Sequence, residues 1–215
     1  MVLGNPQNWL DRFKSIDNKL LCCIERIWPV CLEALQEQPD EDTITINLVA
    51  LLSKDQEVCR LAHWIEYQYE PFGHGENGAM HSKGIIDMAV ILDQNRERYI
   101  AYECKRLNVV RNGGRSSLAT PYVKEGLKRF VFEQYAEGLP LGCMLGYVLD
   151  GDMDFALSRT ASAIVETASF TRLVGNIEKL SAINTLERFS TRHKRESSSY
   201  DIEIRHTLLP FPSSQ

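Results

Sequence analysis

The sequence predicts an α/β protein, and two observations support that class. First, residues 84–107 read as two alternating apolar strands joined by a polar turn at 94–96. Second, helical and strand-like apolar periods follow one another in the order helix, three strands, helix, strand, helix. The chain has 215 residues, 44% of them apolar, which is enough for one domain with a sizeable core.

The elements before this hairpin follow from apolar spacing and from residues that break helices. An apolar helical period runs up to Trp28 and Pro29, which should end the first helix. An acidic linker at 38–42 precedes a helix whose negatively charged start complements the helix dipole. The predicted elements are helices at 8–27, 30–35 and 43–52, a candidate helical continuation at 55–65, a strand at 66–72 and a loop at 73–79.

The elements after the hairpin are derived in the same way. Pro121 favours a helix start because its fixed φ suits the first helical turn, and Asp152 or Asp154 is a candidate cap for the following helix. The predicted elements are a loop at 109–120, a helix at 121–137, a buried strand at 141–149, a helix that ends before residue 170, a short helix at 177–180, and a terminal hairpin of strands at 185–193 and 200–209.

Three charged residues interrupt the apolar strands of the hairpin. Alternation places Asp87 on one face of the first strand, and Glu103 and Lys105 together on one face of the second. If the strands pair so that these faces coincide, the three side chains converge at one end of the hairpin. Two carboxylates supply hard oxygen ligands that suit Mg²⁺, and a neighbouring ammonium can orient or activate a water. The pattern therefore indicates a metal site.

The motif made by Asp87, fifteen intervening residues and Glu103-Cys104-Lys105 resembles that of the PD-(D/E)XK nuclease superfamily. Ile86 stands where the family name places proline. The resemblance implies a restriction-endonuclease-like fold with an αβββαβ core, in which helices flank a mixed central sheet, and the predicted element order agrees with it over about 43–167. Residues 1–42 are then a helical extension packed on a nuclease-like domain of residues 43–215 that ends in an extra strand pair.

The resemblance also implies the chemistry of the site. Asp87, Glu103 and Lys105 are the expected catalytic residues. The expected ligands of Mg²⁺ or Mn²⁺ are Asp87, Glu103 and the backbone carbonyl of Cys104. Such enzymes often take a further acid from an element before the hairpin, and the sequence leaves three candidates open: Glu57, Glu66 and Glu70. They also often place polar residues on the helix after the motif, where this chain carries Lys124, Arg129 and Gln134.

The distribution of charge matters more than its total. The formal net charge of −5 argues against a general basic coat that would bind nucleic acid without discrimination. A basic run nevertheless follows the motif directly, where neutralisation of phosphates is the favoured role, and a second basic cluster lies at 188–195. The candidate contacts to nucleic acid in the first run are Arg106, Arg111, Arg115, Lys124 and Lys128. A small acidic chain without a separate recognition domain is expected to act as a homodimer or with a partner protein.

Several other classes lack support in the sequence. His63, His74 and His81 do not show the spacing of a zinc site, and Gly113-Gly114 lacks the residues that complete a phosphate-binding loop. The charged residues near the start of the chain argue against a signal peptide or a membrane span, so a cytoplasmic protein is expected. The six dispersed cysteines favour free thiols.

Two functions therefore compete. The first is a Mg²⁺- or Mn²⁺-dependent nuclease that hydrolyses phosphodiester bonds, with DNA favoured as substrate, in restriction, repair or anti-phage defence. The second is a catalytically inactive module that keeps the nuclease fold for nucleic-acid or protein binding. In a purely structural interpretation, Asp87 is a buried acid that pairs with Lys105 or Arg106. Three charges crowded at one strand end are a costly way to stabilise a core, which favours the enzyme.

Overall fold

A computed structural model describes residues 6–36, 38–74, 78–111, 114–196 and 200–212. Its centre is a seven-stranded mixed sheet, in the order β1 (Trp64–Tyr69), β4 (Ile86–Ile91), β5 (Tyr99–Leu107), β8 (Leu141–Val148), β11 (Ile202–Pro210), β10 (Glu187–His193) and β9 (Leu173–Lys179). The pairs β5/β8 and β8/β11 are parallel, and the other neighbours in this sheet are antiparallel. Two short hairpins stand outside it, one of β2 (Phe72–His74) and β3 (Met80–Ser82), the other of β6 (Val109–Arg111) and β7 (Gly114–Ser116). The predicted α/β class with a mixed sheet flanked by helices is confirmed.

The elements have the following bounds. The helices are α1 (Leu10–Glu33), α2 (Glu41–Leu52), α3 (Gln56–Leu61), α4 (Ala119–Pro121), a π-helical segment (Tyr122–Leu127), α5 (Lys128–Val131), α6 (Met153–Glu166) and α7 (Ala168–Thr171). The strands are β1 (Trp64–Tyr69), β2 (Phe72–His74), β3 (Met80–Ser82), β4 (Ile86–Ile91), β5 (Tyr99–Leu107), β6 (Val109–Arg111), β7 (Gly114–Ser116), β8 (Leu141–Val148), β9 (Leu173–Lys179), β10 (Glu187–His193) and β11 (Ile202–Pro210).

Helices cover both faces of the sheet. On one face α1 packs against the strands, where the carboxylate of Asp17 accepts a hydrogen bond from the Tyr102 hydroxyl at 2.8 Å. On the other face the helical stretch from α4 to α5 lies against β5, β8 and β11, where the Tyr122 hydroxyl meets Nδ1 of His206 at 2.9 Å. All eight residues of β8 are buried, as expected for a parallel strand covered on both faces.

The first half of the chain departs from the predicted elements at four places. α1 runs through Pro29 to residue 33, so the predicted break and separate second helix are wrong. Proline costs this helix one backbone bond, but the neighbouring Trp28 indole donates to the Pro210 carbonyl at 2.7 Å and stacks on Tyr147. Helix α3 ends at Leu61, and β1 replaces the predicted end of that helix. Part of the predicted loop at 73–79 belongs to β2, which pairs with β3 just after the loop, and parts of the predicted loop at 109–120 form β6 and β7. Residues 75–77 and 112–113 lie outside the described part.

The second half holds two further corrections. The helix predicted at 121–137 ends at Val131, because Glu133 and Ala136 both adopt positive φ, which a right-handed helix does not accommodate. The short helix predicted at 177–180 is wrong, since this segment belongs largely to β9 and pairs with β10. The terminal strand pair is confirmed as an antiparallel pair. It extends the sheet of β1, β4, β5 and β8 on the β8 side, because β11 pairs in parallel with β8 and is followed outward by β10 and β9.

A buried charged cluster joins α1 to the strands of the far half of the sheet. Asp17 is 1% exposed, and its carboxylate accepts from Arg205 at 2.6 Å and from Arg188 at 3.3 Å. Asn18 accepts from both guanidiniums as well. Arg188 belongs to the second basic cluster of the sequence, and together with the buried Arg195 it faces the interior. This half of the cluster is therefore structural, because these cations are inaccessible to a phosphate.

A chain of buried hydrogen bonds fixes the protonation of two histidines. Nδ1 of His193 lies 2.8 Å from the Thr171 carbonyl, which only accepts, so this nitrogen carries the proton. In neutral His193, Nε2 then accepts from the Thr191 hydroxyl, whose oxygen accepts from Nε2 of His206 at 2.9 Å. Nδ1 of His206 is left to accept from Tyr122. The chain is complete only while both rings are neutral.

Acidification should therefore destabilise the protein through His193. Burial lowers the pKa of this ring from its ordinary value to about 4. The unfolded chain binds a proton at this ring as the pH falls through about 6.5, whereas the folded chain binds it only near pH 4. The contribution of neutral His193 to the free energy of unfolding is therefore complete above pH 6.5 and decreases below it by up to about 1.4 kcal/mol per pH unit. Thermal melting of wild type and of His193→Asn between pH 7.5 and 4.5 measures the effect. A variant that loses stability as steeply as wild type over this window would contradict it.

Two further features concern the length and polarity of the helices and the state of the cysteines. Among the described residues, every helix is too short or too polar to span a bilayer. All six cysteines are free thiols, with Cys23, Cys31, Cys104 and Cys143 buried.

Candidate active site

The hairpin of β4 and β5 brings the predicted triad together. Ala89 lies opposite Ala101 and Met88 opposite Tyr102, so the acid-bearing ends of both strands are adjacent. Nζ of Lys105 lies 3.0 Å from Oε1 of Glu103 and 3.9 Å from Oδ2 of Asp87. The same Oδ2 accepts the backbone N–H of Cys104 at 2.7 Å, which fixes the Asp87 carboxylate against β5. The carbonyl of Cys104 accepts from Nζ of Lys105 at 3.0 Å.

A fourth charged residue, Glu41, enters the cluster from the first turn of α2. Its Oε1 accepts from Nζ of Lys105 at 2.7 Å, and its Oε2 accepts the backbone N–H of Arg106 at 3.0 Å. Asp40 caps the helix by accepting the Thr43 N–H at 2.7 Å, which holds the turn that carries Glu41. The acid that completes the cluster therefore comes from the start of the helix before the hairpin.

The opposite wall of the site is the helical stretch after the motif. NH1 of Arg129 lies 3.4 Å from Oε2 of Glu103 and also donates to the Tyr135 hydroxyl. That hydroxyl donates in turn to the carbonyl of Ile85, two residues before Asp87. The stretch thus ties Arg129 to both strands of the hairpin.

A glycine permits this close approach of helix and strand. A Cβ at position 126 would lie 2.7 Å from Cε of Met144 and 3.3 Å from Cγ of Glu103. Gly126 sits within the π-helical segment, a conformation that is rare and is frequent at functional sites. A larger residue would displace the end of the Met144 side chain and crowd Cγ of Glu103.

The cluster is acidic and largely shielded from water. Three carboxylates face two cations, which leaves a net charge of about −1 when all are ionised. The Glu103 side chain is fully buried, and burial followed by the charge of Asp87 raises its pKa to about 8. Burial likewise raises the pKa of Asp87. Burial alone would lower the pKa of Lys105, but Glu103, Asp87 and Glu41 outweigh it and raise that pKa above its ordinary value.

These oxygens suit a hard cation. Oε1 of Glu103 is buried without a hydrogen-bond partner, although Lys105 lies close to it. The carbonyl of Cys104 and the carboxylate of Asp87 lie beside it, so the site offers the hard oxygen donors that Mg²⁺ and Mn²⁺ prefer, and a bound cation would favour the ionised form of Glu103. The predicted ligands Asp87, Glu103 and Cys104 therefore fit the ion.

The three acids considered from the sequence lie elsewhere. Glu66 pairs with Arg96 at the turn of the hairpin, and Glu70 is exposed. Glu57 gathers with Cys23 and Asp55, a grouping whose ligand atoms are close enough for a metal ion. Arg26 already pairs with both of these acids, at 3.0 Å for Asp55 and 3.4 Å for Glu57, and Asp55 also caps α3. Arg26 thus offsets one of the two negative charges of this grouping, and both acids already have a partner in the protein.

The five basic residues predicted to contact nucleic acid have different surroundings. Lys124 and Lys128 are exposed on the helical stretch beside the site. Arg106 is half-buried, with NH1 at 3.4 Å from the Pro39 carbonyl. Arg115 pairs with Asp150 at 2.5 Å and with Asp152 at 2.7 Å, so intramolecular acids already satisfy it. The side chain of Arg111 lies outside the described part of the structure.

Sequence reasoning missed the contribution of Glu41. The sequence predicts a linker at 38–42 and a helix that starts at 43, whereas α2 starts at Glu41, so that the carboxylate of its first residue reaches Lys105. Of the polar residues proposed on the following helix, Arg129 contacts the site. Gln134 lies beside Gly84 just before β4, and Lys124 is exposed.

Comparisons with known protein families, with curated proteins and with solved structures find no match to this chain.

Proposed function

We propose that this chain is a Mg²⁺- or Mn²⁺-dependent nuclease that hydrolyses phosphodiester bonds, with DNA as the favoured substrate. One observation carries the proposal: Asp87, Glu103 and Glu41 converge with Lys105 at one end of two neighbouring strands, and Glu103 is fully buried there. Burial of several ionised groups is expensive and stabilises a core poorly. Perturbed carboxyl groups in a shared cluster are typical of a reaction centre.

The roles of the residues follow from their charge. Lys105 stays protonated near neutral pH because three carboxylates raise its pKa, so it serves as a hydrogen-bond donor and positive charge rather than as a base. It can orient an attacking water and offset the negative charge that develops on the phosphate. Arg129 adds a second cation on the opposite wall, beside Glu103.

The acids have a complementary role. Asp87, Glu103 and the Cys104 carbonyl would hold the metal ion, which when bound supplies Lewis-acid stabilisation of the phosphate. Glu41 holds the ammonium of Lys105 from the other side, at 2.7 Å, and so orients the cation next to the ligands. We place such an enzyme in restriction, repair or anti-phage defence in the cytoplasm, acting as a homodimer or with a partner protein.

One observation favours the second function, an inactive module of the same fold. Lys105 is already satisfied by Glu41, Glu103 and the Cys104 carbonyl, which is how a structural ion pair would look. DNA cleavage distinguishes the two functions, because only the enzyme turns over substrate.

Incubation of the purified protein with circular and linear DNA tests the proposal directly. We expect cleavage with Mg²⁺ or Mn²⁺ and none with EDTA. Glu103→Gln is the matched negative control, since it keeps the size of the side chain and removes the charge. DNA binding without cleavage under every metal condition would instead support the inactive module.

A further inference from the structure

An aromatic cavity opens next to the acidic site. It has a volume of about 280 Å³ and is lined by Lys128, Arg129, Phe132, Gln134 and Phe170. The two phenylalanine rings contact each other with centroids 5.6 Å apart, yet they are 47% and 46% exposed. Single exposed apolar side chains are common on protein surfaces, whereas two touching, exposed rings that line a cavity form a contiguous apolar patch, which is a candidate binding surface.

The charged residues that line this cavity are basic, and a third cation beside it, Arg172, pairs with Glu196 at 3.3 Å. Lys128 and Arg129 line it, and the guanidinium of Arg172 lies over the Phe132 ring at 5.4 Å from its centroid. None of the five residues that line it is acidic. Exposed aromatic faces with flanking cations fit a ligand that combines a flat ring with a phosphate.

The cavity and the acidic site share a residue. Arg129 lines the cavity, and its NH1 lies 3.4 Å from Oε2 of Glu103. A group bound on the rings would therefore be separated from the acidic site by one side chain, that of Arg129. The volume is slightly below the range of about 300–1,000 Å³ that is typical of small-molecule sites. It suits one planar group better than a whole cofactor.

We propose that Phe132 and Phe170 form a stacking site for an unpaired base of the DNA strand whose backbone enters the acidic site. This inference rests on the proposed nuclease function and narrows its substrate to DNA with single-stranded character. Stacking on aromatic rings accepts any base, because every base has a π-face, whereas a base within an intact duplex presents its faces to its neighbours. Lys128 neutralises a phosphate of the same strand.

Binding measured without metal tests this separately from cleavage. In EDTA, the fluorescence anisotropy of labelled oligothymidylate, the matched abasic strand, a DNA duplex and oligouridylate gives four dissociation constants. Wild type should prefer oligothymidylate to both the duplex and the abasic strand. The double variant Phe132→Leu/Phe170→Leu keeps apolar bulk without the rings and should lose about tenfold or more on oligothymidylate, with little change on the abasic strand.

Two control variants complete the design. Trp64→Leu removes an aromatic side chain of similar exposure, 47%, on the outer strand β1, and it should bind like wild type. Lys128→Gln should weaken all strands alike and reduce the salt dependence by about one unit of slope. If oligouridylate binds as tightly as oligothymidylate, the proposal that the bound strand is DNA rather than RNA is wrong.

The outcomes separate this inference from the nuclease proposal. Equal affinity of wild type for the thymidylate and abasic strands overturns the stacking site, even if the double variant does not fold. Unchanged binding and cleavage in a folded double variant also overturns it, while the nuclease stands. Ring-dependent binding in a protein that cuts no DNA with Mg²⁺ or Mn²⁺ supports the stacking site and defeats the nuclease.

Discussion

Replacement of Lys105 by methionine should reduce DNA cleavage by on the order of 10²-fold or more while metal and DNA binding persist. The ammonium lies 2.7 Å from Glu41 and 3.0 Å from Glu103, in the position to orient a water and offset charge on the phosphate. Its loss also leaves buried Glu103 with Arg129 as its remaining cation, so without metal stability should fall by about 3–5 kcal/mol at a pH where Glu103 is ionised and by less where it is protonated. Mg²⁺ should restore more of this stability in the variant than in wild type, because the ion balances the same carboxylates.

Cleavage rate and melting temperature must therefore be measured on one preparation, with the cleavage assay run well below the melting temperature of the variant. The double variant Lys105→Met/Glu41→Gln removes one unpaired acid and should recover part of the stability, but not the activity. Lys54→Met, at an exposed position, is the matched control for loss of a surface lysine. The catalytic role is refuted if either folded Lys105 variant cuts DNA as fast as wild type.

The sequence predicted the part of the site that depends on local periodicity. Strand alternation is fixed by backbone geometry, so Asp87, Glu103 and Lys105 could be placed on coincident faces before any tertiary contact was known. The helix cap at Asp152 follows from similarly local chemistry, and its side chain accepts the Phe155 N–H as expected.

The parts that were missed depend on distant contacts. Glu41 joins the cluster because α2 packs beside the hairpin, 64 residues before Lys105 in the chain. The break predicted at Pro29 does not occur, since Trp28 is anchored to Pro210 and Tyr147 at the other end of the chain and on a central strand. The segment at 177–180 is strand because β10 pairs with it, and such pairing overrides a short ambiguous pattern.

The position of β11 shows the same limit at the level of topology. Its apolar pattern predicts a strand, and its adjacency to β10 predicts a hairpin, both of which the structure contains. Its parallel pairing with β8, from Glu203 opposite Leu141 onward, has no local signature in either strand. That pairing places Arg205 next to Asp17 and His206 next to Tyr122. Both buried polar clusters depend on it and could not be predicted from local sequence patterns.

Asp87→Asn should abolish tight metal binding while the fold persists. The amide oxygen of asparagine can still accept the Cys104 N–H that Asp87 accepts at 2.7 Å, so the variant removes a charge without breaking this bond. A change in the outer shell of a metal site typically costs 10–100-fold in affinity, and loss of a ligand charge should cost at least about as much. Cleavage should fall by on the order of 10²-fold or more.

Calorimetric titration with Mg²⁺ and Mn²⁺ measures the loss, and the melting temperature without metal reports the fold. The melting temperature should stay level or rise, because burial, with a smaller contribution from Glu41, disfavours the charge that is removed by more than Lys105 favours it. Asp87→Ala, which also deletes the bond to Cys104, should be less stable than Asp87→Asn but equally poor in metal binding. Asp93→Asn is the matched control, since it makes the same change beside the turn of this hairpin, where the acid pairs with Arg98. Undiminished Mn²⁺ binding in folded Asp87→Asn would show that Asp87 is a structural acid, and the metal site proposed at this strand end would be wrong.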